Sequence, residues 1–294
     1  MAGLLALVAT FGARADGFAQ YPELWESFDP ELQEHLEAAL GKLGLGKAIN
    51  QRELGVALVD ITNPHEPRVA AVNGDEMLYA ASMPKIAILL GAFVEIEEGS
   101  MQLDDATRRS LTDMVRVSSN VEATRMLNRV GKDRLIRILQ SDRFRLYDPS
   151  VNGGLWVGKE YGGSPAYRRD PLHNLSHGAT AMQAARFYYL LETGQLVSPR
   201  LTREMKSMLG KPGIHHKFVK GLEQARPGAV VYRKSGTWER YHADSALVES
   251  GGHKFIAVAI AENPAGGDWL AKMIVPMHDL VVRPQARQRL VAHR

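Results

Sequence analysis

The chain has 294 residues, 45% of them hydrophobic and 23% charged, with a formal net charge of +3. That balance is ordinary for a globular protein with one large core or two modest ones. No cysteine is present, which excludes disulfides, thiolate zinc sites and thiol nucleophiles.

At the N-terminus, Gly3 to Phe11 is a short apolar run followed by Ala13-Arg14-Ala15, the small-x-small form of a cleavage site. Residues 1–15 are expected to be a secretory signal, with a periplasmic or secreted location; a buried N-terminal helix is the competing reading. The run is too short to span a bilayer, and no other stretch qualifies, so stable membrane insertion is not expected. Pro30 to Leu43 reads as an amphipathic helix, with Leu32, Leu36, Ala39 and Leu40 on one side. Glu53 to Ile61 reads as a strand buried on both faces, Asn63-Pro64-His65-Glu66-Pro67 as a turn, and Arg68 to Asn73 as the returning strand.

Tyr79-Ala80-Ala81-Ser82-Met83-Pro84-Lys85 then opens an apolar, helix-length run that ends near Glu98-Gly99-Ser100. Helical spacing continues over 103–117, 118–130 and 132–140. Residues 148–174 are rich in glycine and proline without apolar periodicity, and a loop of that length is usually functional or mobile. A helix is predicted over 179–193, and Ser198-Pro199 opens another. Three strands follow, over 229–235, 243–249 and 254–262, and Trp269 to Val282 closes with an amphipathic helix. Strands from both ends of the chain flank a helical middle. The pattern predicts an α+β fold, layered α/β/α, with one antiparallel sheet, a helical lobe and a cleft between them. The sheet lobe is expected over about 30–80 and 196–294, and the helical lobe over about 81–195, as one unit covering 16–294.

Three short motifs fall where such a cleft needs chemistry. Ser82 and Lys85 stand three apart, on one face of a helix start, where a neutral amine can take the serine proton. Ser118-Ser119-Asn120 supplies a hydroxyl and a carboxamide at the start of the 118–130 helix. Lys234-Ser235-Gly236-Thr237 supplies an ammonium, a hydroxyl and a glycine that admits close approach at a strand end. Taken singly, Ser82 and Ser118 read equally well as helix caps, and Lys234 as a surface charge. The histidine groupings His173/His177 and His215-His216 lack a zinc-protease pattern, so neither metal nor cofactor is expected. Dispersed basic residues without interleaved aromatics give no case for nucleic acid.

In that order the motifs resemble those of the penicillin-recognising serine enzymes, the class A β-lactamases and the D,D-peptidases. The resemblance implies a single serine-hydrolase domain, expected to be monomeric, that takes a small β-lactam or a cell-wall peptide. It implies Ser82 as the acylated nucleophile and Lys85 as its proton partner, with Ser118 relaying a proton to the leaving nitrogen. Asn120 would hold the substrate amide, and Lys234 and Ser235 the substrate carboxylate. The N–H groups of Ser82 and Thr237, beside Gly236, would form the oxyanion hole. Two ammonium groups near one nucleophile would depress each other's pKa and leave Lys85 a usable base.

The chain departs from class A where Ser119 replaces an aspartate, in a short 85–118 segment, and in lacking Glu-x-x-x-Asn in the 148–174 loop. Asp170-Pro171-Leu172-His173-Asn174 has that spacing with aspartate, and Glu160 is the only glutamate of the loop. Either could activate the deacylating water; equally, Asp170 could be a cap and Glu160 a surface charge. Three functions therefore stand: a β-lactam hydrolase, a D,D-peptidase or related hydrolase that deacylates slowly, and a silent binding or sensor domain.

Overall fold

The computed structural model describes residues 21–283. The expected signal, residues 1–15, and most of the basic tail lie outside them. Helix α1 (Pro30–Lys42) starts at Asp29, whose carboxylate accepts the Leu32 N–H, with proline in the first turn. It buries Leu32, Leu36 and Leu40. A short helix, α2 (Gly46–Asn50), leads into strands β1 (Leu54–Asp60), β2 (Arg68–Val72) and β3 (Leu78–Tyr79). The helical middle is α3 (Lys85–Glu97), α4 (Asp105–Arg116), α5 (Asn120–Val130) and α6 (Lys132–Gln140).

Short strands β4 (Tyr147–Asp148), β5 (Gly153–Gly154), β6 (Trp156–Val157) and β7 (His177–Ala179) punctuate the long loop. Then come α7 (Ala181–Glu192), α8 (Pro199–Leu209), α9 (Phe218–Ala225), β8 (Val230–Trp238), β9 (Tyr241–Ser250), β10 (His253–Glu262) and α10 (Gly266–Val282).

The expected α+β architecture is present. One five-stranded antiparallel sheet runs β2-β1-β10-β9-β8, so strands from both chain ends meet at the β1–β10 pair. Side chains alternate across a strand, and here both faces are buried. In β10, Phe255, Ala257, Ala259 and Ala261 join one core with α1, α9 and α10. Ile256, Val258 and Ile260 join a second, larger core with α3 and α7. β1 divides in the same way, with Leu54, Val56 and Leu58 on one side and Ala57 and Val59 on the other. Helix α7 lies directly on β1, β9 and β10, so the last helix assigned to the helical lobe is also the inner layer of the sheet. α3 is buried continuously from Lys85 to Val94, as a helix that is apolar on nearly all sides must be.

Some features escape the sequence pattern. β3, β6 and β7 form a small second sheet whose strands are too short to show alternation. α9 is a single amphipathic stretch of eight residues inside a polar segment. Gly158 lies where a side chain would collide with the Arg168 carbonyl, which explains how the glycine-rich loop folds back on itself.

Candidate active site

The small sheet delivers the turn that carries Ser82. Tyr79 pairs with Gly178, the Ala80 N–H donates to His177 O, and the chain then turns sharply through Ala81, whose φ is +50°. Ser82 lies in this turn, not in the first turn of α3. Its carbonyl accepts from the Lys85 N–H in a three-residue step, and the regular helix begins only at Lys85. The physical reason is Pro84, which has no N–H and biases Met83 before it away from the α region.

β8 passes against this turn. A Cβ at Gly236 would lie 2.1 Å from Ala80 O and 2.8 Å from Ser82 N. The glycine therefore admits the Ser82 turn itself, where the sequence suggested room for a substrate. Among the described residues the Ser82 N–H has no backbone partner and the Ser82 hydroxyl has no hydrogen bond.

The expected serine, lysine and asparagine side chains converge. Lys85 Nζ is fully buried and donates to Ser118 O at 2.6 Å and to Asn120 Oδ1 at 2.8 Å, with Ser118 Oγ at 3.4 Å. From the other side Lys234 Nζ, also buried, donates to Ser118 Oγ at 2.8 Å and to Ser235 O at 2.6 Å. Ser118 thus sits between the two amines. It has φ +60° and precedes α5; the N-cap is Ser119, whose hydroxyl accepts the Glu122 N–H at 3.2 Å. The Ser235 hydroxyl meets His216 Nε2 at 3.1 Å.

Burial lowers Lys85 to about 7. Lys234 is pushed well below its ordinary value, first by burial and then by the charge of Lys85. Desolvation, not the mutual repulsion expected from the sequence, lowers Lys85, and repulsion falls on Lys234.

The opposite wall belongs to the long loop and β7. A cleft of about 340 Å³ runs between the walls, lined by Ser82, Asn120 and Thr237 on one side and by Glu160, Tyr161 and His177 on the other. Lys85 Nζ sits 4.5 Å from the centre of the Tyr161 ring. The Tyr161 ring lies tilted against His177, centroids 4.3 Å apart, and its hydroxyl donates to Ala81 O at 3.4 Å; burial holds its pKa well above the usual value. His177 is 3% exposed, with Nε2 3.0 Å from Lys159 O, and burial lowers its pKa to about 4, so it is neutral and donates from Nε2.

Neither loop carboxylate touches Lys85 or Ser82. Glu160 lines the cleft but is engaged by Lys132 at 2.6 Å and Ser164 Oγ at 3.2 Å, and the Lys132 contact leads in lowering its pKa. Asp170, 2% exposed, accepts from the Tyr147 hydroxyl and from the His173 N–H at 2.6 Å, while its own carbonyl receives the Asn174 N–H. The Asp-x-x-x-Asn spacing closes a turn on itself.

The two histidine groupings also part ways. His173 meets Asn152, His215 meets Glu223, and among the described residues no cluster suited to a metal is present. Tyr161, His216 and Lys217 are site neighbours that carried no motif signal in the sequence.

The chain matches the β-lactamase enzyme family over residues 34–110 and 106–275. It belongs to that family. No curated protein matches it in sequence.

Among solved structures it is similar to a β-lactamase from Sphaerobacter thermophilus DSM 20745, at 18% identity, 84% of this chain, 97% of that one and a TM-score of 0.66. It is similar to PBP-A at 15% identity, 88% and 98% coverage and a TM-score of 0.66. A class A β-lactamase representative from Bacteroides cellulosilyticus DSM 14838 follows at 14% identity, 85% and 98% coverage and 0.64. At these identities the likeness is one of fold, and within it the chain is a β-lactamase-like serine hydrolase by family. No helix among the described residues is long and apolar enough to cross a membrane.

Proposed function

We propose that this protein is a serine acyl-transfer hydrolase that reacts with β-lactams, or with the peptide amides they mimic, at Ser82, and releases the acyl group slowly. The observation that carries the reading is the pairing of two buried amines on Ser118 with an aromatic ring, and no carboxylate, beside Lys85.

The Ser82 hydroxyl attacks the scissile carbonyl and gives its proton to neutral Lys85, a form well populated near pH 7. The N–H groups of Ser82 and Thr237 receive the developing oxyanion. Ser118, oriented by Lys234, hands a proton to the departing nitrogen. Asn120 both anchors Lys85 and faces the cleft, where its amide is available to the substrate. Lys234 and Ser235 supply the positive, hydroxyl-lined end for the substrate carboxylate.

Hydrolysis of the resulting ester then needs a base to activate water. Tyr161 is held neutral, His177 already donates to a backbone carbonyl, and Glu160 is engaged by Lys132. A variant of PBP-A has been captured as an acyl-enzyme with penicillin G, which lends support to the same covalent chemistry on this fold.

The decisive experiment is intact-protein mass spectrometry after a penicillin pulse, followed over time beside a Ser82→Ala control. A persistent adduct on Ser82 is expected; no adduct at all removes the acyl-enzyme reading. A rapid β-lactam hydrolase remains the second reading, because Glu160 lines the same cleft; an adduct that vanishes within the dead time of the measurement would favour it. We further propose export of the chain through residues 1–15. The N-terminal sequence of protein secreted or recovered from a periplasm should begin at Asp16, and an unprocessed N-terminus would overturn this.

A further inference from the structure

A third buried lysine stands behind the strand that carries Lys234. Lys217 is 3% exposed, and its Nζ donates to Gly236 O, to Thr237 Oγ1 at 2.8 Å and to Ala243 O at 3.1 Å. Three oxygen acceptors match the three protons of an ammonium. The Lys217 backbone has φ +52°, a region lysine rarely adopts, and it persists because its surroundings fix it. The next N–H, of Phe218, donates to Asp244 Oδ2 at 3.1 Å. Arg233 pairs with Asp244 at 2.7 and 2.8 Å while donating to Ile214 O at 2.9 Å and His216 O at 3.3 Å. The loop ahead of α9 is thereby fastened to β8 and β9 from inside.

The direction of the strand carbonyls decides what the amine can do. Lys234 Nζ, on the Ser118 side of β8, meets Ser235 O, so that carbonyl faces the cleft edge of β8. Successive carbonyls along a strand face opposite edges, so Gly236 O faces β9, where Ala243 is its partner in the ladder. No peptide in the described chain is cis, so the Gly236–Thr237 peptide sends its C=O to one edge and its N–H to the other. The Thr237 N–H therefore points into the cleft, next to the Ser82 turn.

We propose that Lys217 is a positioning residue for acyl transfer: its ammonium grips the Gly236 carbonyl and so strengthens the Thr237 N–H, borne by the same peptide, as a donor to the oxyanion. The proposal rests on the acyl-enzyme reading of Ser82 above. A charge-assisted bond at the oxygen end of a peptide draws density from its nitrogen, and hydrogen bonds linked in this way polarise one another. The benefit grows as the substrate oxygen gains negative charge, so it lowers the barrier more than it tightens binding. Burial lowers the Lys217 pKa to about 7, which leaves the charge available at and below neutral pH.

The test uses Lys217→Met and the charge-preserving Lys217→Arg, with three readouts: the Thr237 amide resonance by NMR, the rate of penicillin acylation, and the infrared carbonyl stretch of the acyl-enzyme. In Lys217→Met the Thr237 amide proton should move upfield and the stretch should move to higher wavenumber. Acylation should fall about tenfold, a fraction of the 10²–10³ lost when a whole donor is removed. Lys217→Arg should restore part of all three. A folded Lys217→Met protein with unchanged Thr237 resonance and carbonyl stretch overturns the proposal even if the rate falls.

If Lys217→Met does not fold, the unaltered protein decides the matter. Its Thr237 amide should move upfield in a step as pH rises and Lys217 loses its proton, a step that Lys217→Arg removes; no step overturns the proposal. Should the unaltered protein form no adduct, the acyl-enzyme reading fails by itself, and the Thr237 resonance still judges Lys217.

Discussion

The wall of the cleft built by α3, the start of α5 and β8 differs from the facing wall of the long loop and β7 in what each offers a bound acyl group. The first presents the Ser82 hydroxyl and N–H, without partners among the described residues, and two desolvated amines brought together from α3 and β8. The second presents a tyrosine ring, a neutral histidine and a glutamate paired to lysine. In the proposed reaction, attack on a carbonyl draws on the first wall, and attack of water on the resulting ester draws on the second. If the proposed function holds, the contrast teaches that the two halves of a hydrolytic cycle can be installed separately on one fold.

The largest effect should come from the first wall. Ser82→Ala should abolish the penicillin adduct, and Lys85→Met should slow adduct formation by about 10²–10⁴, as loss of a proton-transfer group does. Stopped acylation with an unaltered circular dichroism spectrum is the expected pair of results; a normal adduct in either variant would break the assignment. The second wall should respond in the opposite sense. Tyr161→Glu sets a carboxylate beside Lys85 and should speed decay of the adduct by about 10², read as loss of the adduct mass over time. Unchanged decay would show that more than this one side chain separates the two walls.

Next in size is the buried pair behind β8. Arg233 and Asp244 are 3% and 0% exposed, and Arg233→Met would strand a carboxylate in the core. That should cost roughly 3–5 kcal/mol, measured by denaturant unfolding.

The amines also predict a pH dependence with a definite sign. Lys85 and Lys217 fall from 10.5 in the unfolded chain to about 7 in the fold. Between those values the unfolded chain binds more protons, so stability should rise with pH, by up to about 1.4 kcal/mol per unit for each lysine. Thermal unfolding followed from pH 7 to 10 checks this, and a fall across that window would contradict it. Acylation should rise as pH climbs towards about 7, where Lys85 becomes neutral, and fall again above it as Lys217 loses the charge proposed to aid the oxyanion. The smallest effect belongs to Asp170→Asn, which should cost about 1–3 kcal/mol by weakening its buried hydrogen bonds. It should leave acylation untouched, since Asp170 holds the loop and not the substrate.

Much of this was legible from residues alone. The continuous apolar run over 53–61 announced a strand buried on both faces, 254–262 read as a strand, and the fold pairs the two residue for residue. The Ser82, Ser118 and Lys234 motifs were readable because acyl transfer needs particular groups at short spacings. Tyr161 was not, because an aromatic residue in a glycine-rich loop has no spacing to obey and its role comes only from standing next to Lys85. Lys217 was hidden for a related reason: an isolated lysine in a polar stretch reads as surface, and nothing local reveals that β8 and β9 will close over it. Asp170 misled in the other direction, since its spacing to Asn174 serves a turn.

The glycine at 236 carries a consequence for descent. Its lack of a side chain is demanded by the meeting of β8 with the Ala80–Met83 backbone, so the demand outlives any particular chemistry. Lineages that abandon catalysis are free to replace Ser82 or Lys85, but a replacement at 236 would pry the sheet from the turn. Silent descendants of this fold should then be recognisable as chains that keep the glycine of the third motif after losing the serine of the first.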